Sequence, residues 1–209
     1  MGLHESQSLF WENRVARSRA FSDCFWEHFV EEGAPFQSSE DLWKVMNPLE
    51  PGLNRVEADE VSYGLHILIR TELEIDLLEK GLDVEDLPFE WNKRYKDLLG
   101  VSPLNDSEGC LQDVHWSEGS FGYFPSYLIG HLISAQLAET MEQELGPISS
   151  RITDGDVSSL LIWLRENVHH YGRRLNAEEL VKEVSGGNLS PNYFLDYLGK
   201  KVDELISLD

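Results

Sequence analysis

Positive charge and cysteine are both scarce in this sequence. Its 209 residues hold 17 Lys and Arg against 38 Asp and Glu, which gives a formal net charge of -21. Such a chain would repel phosphate backbones and anionic lipid surfaces, so we expect neither nucleic acid nor a membrane as a partner. The two cysteines, Cys24 and Cys110, match no metal-binding spacing and favour free thiols over a disulfide framework. A reducing, cytoplasmic location is therefore expected.

Long apolar runs are missing as well. No segment approaches the roughly 20 apolar residues that span a bilayer, and residues 1–5 lack the basic and apolar regions of an export signal. A hydrophobic fraction of 41% and an aromatic fraction of 11% nevertheless supply enough apolar side chains for a core. We expect a single folded domain over residues 1–209.

The alternating pattern of β-strands is also absent, whereas apolar residues recur at helical spacings between glycine and proline clusters. The pattern predicts an all-α, multi-helix fold. In residues 55–80, apolar residues such as Val61, Leu68 and Leu73 describe one stripe over several turns. The predicted helices span residues 5–32, 38–45, 55–80, 83–99, 125–145, 150–171, 176–183 and 190–208, and residues 101–124 are expected to be irregular.

Two segments mix charged residues with a helical pattern. Residues 4–8 read His-Glu-Ser-Gln-Ser, and on a helix Glu5 could direct its carboxylate inward beside His4. Residues 55–63 begin with arginine and run on to His66 and Arg70. Each pattern is also typical of an amphipathic helix whose charged face meets water, so the residues alone leave both interpretations open.

A third segment lies in the irregular region. His115 stands two residues from Asp113 and next to Trp116, in a glycine-flanked stretch that continues to Tyr123 and Tyr127. A histidine in this partly dry setting could donate a proton or neighbour a metal. A packed loop with buried aromatic residues would give the same pattern.

Together the three segments resemble the carboxypeptidase Taq family of zinc metallocarboxypeptidases. The family signatures HES(Q/G), (I/V)RxxAD and GxxQDxHW correspond in order to HESQS at residues 4–8, RVEAD at 55–59 and GCLQDVHW at 109–116. Asn54 stands where the family has Ile or Val. The upstream signatures HPF, DxRxT and HExxH are absent, so the resemblance implies the C-terminal portion of a cleft-containing helical metallopeptidase.

The resemblance also implies roles for individual residues. In the family, zinc is held by the two histidines of HExxH and by the glutamate of HES(Q/G), which makes Glu5 the third metal ligand. Arg55 would pair with the free α-carboxylate of a peptide substrate. Asp59 would either support a residue that contacts the substrate or orient the helix that follows.

The remaining implied roles concern the third segment. His115 would hydrogen-bond the oxyanion that forms at the scissile carbonyl, and Asp113 would orient His115 or contact substrate. Tyr123 and Tyr127 would make further contacts with the substrate or the oxyanion. Peptide C-termini are the implied substrates, and a homodimer is the implied assembly.

Because HExxH is missing, three hypotheses remain open. The chain is the C-terminal portion of a complete zinc carboxypeptidase, or a non-catalytic binding or assembly module with the same fold, or one half that associates with a separate N-terminal half. In each case we expect the isolated chain to be inactive and to bind no metal tightly.

Overall fold

The computed structural model describes residues Met1–Leu208, and within them every regular element is helical. The predicted all-α class is confirmed. Short 3₁₀ segments cover residues 55–57, 84–86 and 169–171, and residues 10–16 form a π-helical segment. The α-helices are α1 (Gly2–Leu9), α2 (Arg19–Glu31), α3 (Ser39–Met46), α4 (Glu60–Glu79), α5 (Leu87–Leu99), α6 (Pro125–Leu145), α7 (Ile148–Thr153), α8 (Val157–Asn167), α9 (Ala177–Ser185) and α10 (Asn192–Ile206).

The helices group into two compact units. The first unit comprises residues 1–47 together with residues 129–209, and the second comprises residues 48–128. Each unit has its own cluster of buried apolar side chains. The expectation of one domain over residues 1–209 stays a prediction, because compact units of this kind can belong to one domain or to two.

The core of the first unit is organised around α6. Successive turns of this helix bury Ile133, Leu137 and Met141, each no more than 1% exposed. Phe10 from the π-helical segment and Leu160 from α8 are packed into the same cluster. α6 is therefore a central helix of this unit, and it is buried on most sides between Ile133 and Ala138.

The helix predicted over residues 5–32 is wrong as a single element. α1 leads into the π-helical segment Phe10–Ala16, and a new helix begins after Ser18. The Ser18 hydroxyl accepts a hydrogen bond from the backbone N–H of Phe21 at 3.1 Å, which is an N-cap. This serine competes with helix continuation, and the apolar spacing alone did not reveal the break.

The predicted helix over residues 55–80 begins later than expected. Residues 55–57 form a 3₁₀ turn, and α4 starts at Glu60. The predicted stripe is buried only in part, because Ile69 and Leu73 are fully buried whereas Val61 and Leu68 are 40% and 44% exposed. Arg70, which lies outside the stripe, is also fully buried. The second unit thus packs a charged side chain beside Leu73 and Trp91 in its core.

The helix predicted over residues 150–171 is divided as well. α7 ends at Thr153, and Gly155 adopts a φ of +73° before α8 begins at Val157. An Asp-Gly pair is typical of turns, because glycine reaches positive φ without steric cost. In contrast, the Asn176 capping box of α9 and the left-handed Gly100 that ends α5 agree with the predicted boundaries.

Candidate functional site

Gln112 fastens the irregular loop to the second unit. Its Oε1 accepts hydrogen bonds from the backbone N–H of Arg55 at 3.0 Å and from Nη2 of Arg70 at 2.8 Å. Its Nε2 donates to the backbone carbonyls of Leu53 and Glu108 at 3.1 and 2.8 Å. One amide side chain therefore joins the 3₁₀ turn, α4 and the loop, and fixes the position of the residue that follows it.

That residue, Asp113, is clamped between two arginines. Its Oδ1 accepts hydrogen bonds from Nε and Nη2 of Arg55 at 2.9 and 2.6 Å, and its Oδ2 accepts one from Nε of Arg70 at 2.6 Å. The side chain of Asp113 is 10% exposed and that of Arg70 is completely covered. Charge-assisted hydrogen bonds of this kind are short and strong, so the three side chains form one rigid group.

The electrostatics of this group keep Asp113 ionised. Burial by itself would raise the pKa of Asp113, but hydrogen bonds from Arg55 and the charges of Arg70 and Arg55 outweigh burial and hold the pKa below its ordinary value. Asp113 is therefore a permanent anion at neutral pH. It cannot serve as a proton donor there, and its geometry suits positioning.

Arg55 keeps part of its hydrogen-bonding capacity. The side edge of its guanidinium, Nε and Nη2, binds Asp113, and Nη1 lies 3.3 Å from the hydroxyl of Tyr63. A guanidinium carries five N–H donors, and these three contacts leave donors at the Nη1 and Nη2 end. The residue is only 8% exposed. A second carboxylate could therefore be bound end-on in a poorly solvated setting.

Asp59 caps α4 and so sets the direction of the helix that carries Arg70. Its Oδ1 accepts hydrogen bonds from the backbone N–H groups of Val61 and Ser62 at 2.9 and 2.8 Å, and its Oδ2 accepts one from the Ser62 hydroxyl at 2.8 Å. An N-cap satisfies backbone donors that the first turn leaves open. This geometry agrees with the helix-orienting role expected from the sequence.

Beneath Arg70 lies a histidine and tyrosine pair. Nδ1 of His66 is 3.0 Å from the hydroxyl of Tyr95, which also accepts a hydrogen bond from Nη1 of Arg70 at 3.1 Å. Burial and the neighbouring charge of Arg70 lower the pKa of His66 to about 4, so its imidazole is neutral at physiological pH. The pair supports Arg70 from the core side and adds no further charge.

His115 is held among aromatic rings. Its Nε2 is 3.1 Å from the hydroxyl of Tyr127, and its ring centroid lies 4.4 Å from that of Phe124 and 5.8 Å from that of Tyr123. Its Nδ1 is buried without a hydrogen-bond partner and lies 3.8 Å from Oδ1 of Asp113, which is too far for a hydrogen bond. Asp113 is therefore beside His115 as expected, but no hydrogen bond joins the two side chains.

Glu74 secures the segment that carries the two tyrosines. The carboxylate of this buried α4 residue accepts a hydrogen bond from Nε1 of Trp116 at 2.9 Å and one from the backbone N–H of Gly122 at 3.0 Å. The rings of Tyr123 and Tyr127 pack edge to face with centroids 5.2 Å apart. Four of the predicted site residues, Asp113, His115, Tyr123 and Tyr127, are thus brought together with Arg55 in the second unit.

Glu5, the predicted metal ligand, lies in the first unit on α1. This half-buried residue packs against α6 at Gly130, where an added Cβ would stand 2.7 Å from the Cβ of Glu5. Such a short separation does not occur between carbon atoms that are not bonded to each other, so glycine permits this close approach of the helices. His4, its neighbour in the sequence, is exposed.

The described residues do not by themselves compose a metal site. Within residues 1–208, no three His, Cys, Asp or Glu side chains are placed so that they could hold one ion together. Catalytic zinc takes three protein ligands, and Glu5 can supply one oxygen. The role of Glu5 as a metal ligand therefore stays a prediction.

Sequence reasoning missed three members of the site. Gln112 stood inside the GCLQDVHW motif and Arg70 beside the second segment, but neither received a role, and Tyr95 was not singled out. A fully buried arginine is rare, and nothing in the helical pattern around it distinguishes it from a solvated one. The glutamine preceding Asp113 was the available signal.

Comparisons with known proteins identify relatives in a single family. The family model for carboxypeptidase Taq (M32) metallopeptidases matches residues 1–202. Thermostable carboxypeptidase 1 of Thermus thermophilus is 46% identical over 96% of this chain, and Carboxypeptidase 1 of Bacillus subtilis is 41% identical over 100% of it. The solved M32 carboxypeptidase of Deinococcus radiodurans R1 superposes on 98% of the chain with a TM-score of 0.92 at 37% identity.

The chain belongs to the carboxypeptidase Taq (M32) family of metallopeptidases. It spans about two fifths of the length of its relatives, namely 40% of the Thermus protein and 42% of the Bacillus and Deinococcus proteins. Its fold corresponds to the C-terminal helical part of these enzymes. None of the helices in residues 1–208 is long and apolar enough to cross a membrane.

Proposed function

We propose that this chain is the substrate-binding portion of a zinc-dependent metallocarboxypeptidase, which removes C-terminal residues from peptides. The observation that best supports this proposal is the group formed by Arg55, Asp113 and Arg70, with His115 beside it. An arginine that is buried, fixed by an ionised aspartate and still able to donate at its outer edge suits a peptide's terminal carboxylate. The family membership supports the same reaction class.

Glu5 is proposed as one zinc ligand. A zinc ion bound in the complete protein would act as a Lewis acid on the scissile carbonyl and on a bound water. The role of α1 and Gly130 is to hold the Glu5 carboxylate on a packed helix, which limits its motion. The other ligands are expected from polypeptide outside these 209 residues.

His115 and the two tyrosines are proposed to stabilise the oxyanion. Tyr127 lies within hydrogen-bond distance of His115 Nε2, and Tyr123 packs on Tyr127. Donors that are held in place before reaction stabilise developing charge without reorganisation. Asp113 lies beside His115, with its Oδ1 3.8 Å from the Nδ1 of His115.

Assembly and location are also proposed from the chain. Val61, Leu68 and Ile75 recur seven residues apart on α4 and are 38–44% exposed, so one side of this helix presents apolar surface. We propose that the isolated chain self-associates as a homodimer to cover such surface. Cys24 and Cys110 are free thiols, in keeping with a reducing, cytoplasmic location.

A chimeric enzyme tests the proposed function. This chain would replace the matching C-terminal part of the Thermus relative, and hydrolysis of an N-blocked dipeptide would be measured with zinc present. We expect activity from the chimera and none from the chain alone. An inactive chimera that is folded and binds zinc would support the alternative, a non-catalytic binding or assembly module.

Two matched substitutions make the chimera test specific. Glu5→Gln keeps the size of the side chain but removes its charge, and it should abolish hydrolysis. His4→Gln changes the exposed neighbouring residue on the same turn and should leave the rate within about twofold. Equal loss in both variants would contradict the role assigned to Glu5.

A further inference from the structure

The first unit contains a cavity of about 440 Å³ that the proposed reaction does not use. Its walls come from the π-helical segment, from α10 and from the C-terminal end of α6. π-helical turns are rare in proteins, and those that occur are often found at functional sites. The cavity is large enough for a small organic molecule, because pockets for such ligands begin near 300 Å³.

Arg14, which lies in the π-helical segment and lines this cavity, has no acceptor. Its Cζ stands 3.8 Å from the centroid of the Tyr197 ring, so the guanidinium stacks on that ring. Its Nη1 is buried without a hydrogen-bond partner. No ion pair involves Arg14 within residues 1–208, although the chain carries a net charge of -21. In so acidic a protein, a half-buried arginine without a carboxylate partner is unusual.

The other arginines of the cavity differ from Arg14 in this respect. Arg17 pairs with Glu12 at 2.8 Å, and Arg19 pairs with Asp23 at 3.2 Å. Each of these two arginines therefore has a carboxylate partner. Arg14 is the arginine of this wall that is oriented by stacking while its hydrogen-bonding capacity is unused.

Lys201 adds a second cation on the same side of the cavity. It is 8% exposed, and its Nζ donates to the hydroxyl of Tyr197 at 3.2 Å. Tyr197 thus carries Arg14 on its ring and Lys201 at its hydroxyl. An oxygen anion beside this tyrosine would meet two positive charges held in fixed positions.

We propose that this cavity is a binding site for a small carboxylate, with Arg14 as the principal recognition residue. The cavity is also lined by four acidic residues, so a doubly charged anion such as phosphate would be repelled more strongly than a single carboxylate. A planar carboxylate also matches the fork of a guanidinium. The four residues are Glu139, Glu142, Asp196 and Glu204.

The test is a titration of the 209-residue chain with sodium acetate at constant ionic strength, followed by the arginine Nε–H resonances in nitrogen-15 spectra. We expect one resonance to shift with saturation and to be missing from the Arg14→Gln variant. Arg14→Gln should weaken acetate binding by about tenfold or more. Arg173→Gln, an exposed arginine outside the cavity, should bind acetate like the unmodified chain.

Two further variants keep the result interpretable if Arg14→Gln does not fold. Arg14→Lys retains the charge without the planar fork and should still weaken binding, and Tyr197→Phe retains the stacked ring. Shifts that do not saturate, or binding that survives Arg14→Gln and Arg14→Lys unchanged, would overturn the site. Inorganic phosphate that binds more tightly than acetate would overturn the choice of a carboxylate.

Discussion

At the scale of single residues, Arg70 is a fully buried cation with several hydrogen-bond partners. All of its polar contacts are to other parts of the second unit: Asp113, Gln112, Tyr95 and the carbonyl of His66. A buried charge with its partners in place contributes little net stability, but removal of one partner leaves an uncompensated charge. The site is therefore part of the core on which the second unit depends.

Asp113→Asn should accordingly destabilise the chain by about 3–5 kcal/mol, because Arg70 would lose its counter-charge while it stays buried. Urea denaturation followed by circular dichroism would measure the loss. Asp106→Asn, in the exposed part of the same loop, is the control and should change stability by about 0.5 kcal/mol or less. Equal effects of the two substitutions would show that the charge balance around Arg70 is unimportant.

At the scale of elements, the sequence predicted helices best where the ends carry their own signals. The Ser38 cap of α3, the capping box of α9 and Gly100 after α5 all lie at the predicted ends. Breaks at Ser18 and Gly155 were missed, since the apolar pattern continues across them. Apolar periodicity predicts that a segment is helical, but it does not reveal a local turn inside a long apolar segment.

The site was harder to predict than the helices, for a physical reason. α4 buries His66, Arg70 and Glu74, which are the polar residues that a helical pattern assigns to solvent. Their burial is stable only because partners such as Gln112 come from a distant part of the chain. The motif indicated which residues matter, but no spacing rule indicates that Asp113 and Arg70 would meet.

The packing of α1 on α6 leads to a prediction about Gly130. Gly130→Ala would force an added Cβ against the Cβ of Glu5, and we expect a loss of about 1–3 kcal/mol. Gly199→Ala is the matched control, because no atom lies within 4 Å of an added Cβ there. In the helix α10 it should stabilise by about 0.5–1 kcal/mol.

Thermal or urea denaturation of the two glycine variants would give opposite signs if this account is correct. A stabilised Gly130→Ala variant would mean that α1 and α6 are farther apart than described. In the chimera, the same substitution should also displace the Glu5 carboxylate and lower activity more than stability alone explains.

At the scale of the whole molecule, the chain holds the residues that we propose to recognise a substrate and one proposed metal ligand. The arginine group and His115 lie in the second unit, Glu5 lies in the first, and the chain spans about two fifths of its relatives. The family match establishes that the chain is an M32 homologue. Its zinc affinity is the property to measure.

Zinc affinity tests the central claim most directly. Calorimetric titration would compare the 209-residue chain, the chimera with the Thermus relative, and the chimera with Glu5→Gln. We predict no submicromolar site in the chain alone, a tight site in the chimera, and a weaker site after Glu5→Gln, because each protein ligand adds to the affinity. A tight zinc site in the chain alone, or equal affinity in the two chimeras, would contradict the account.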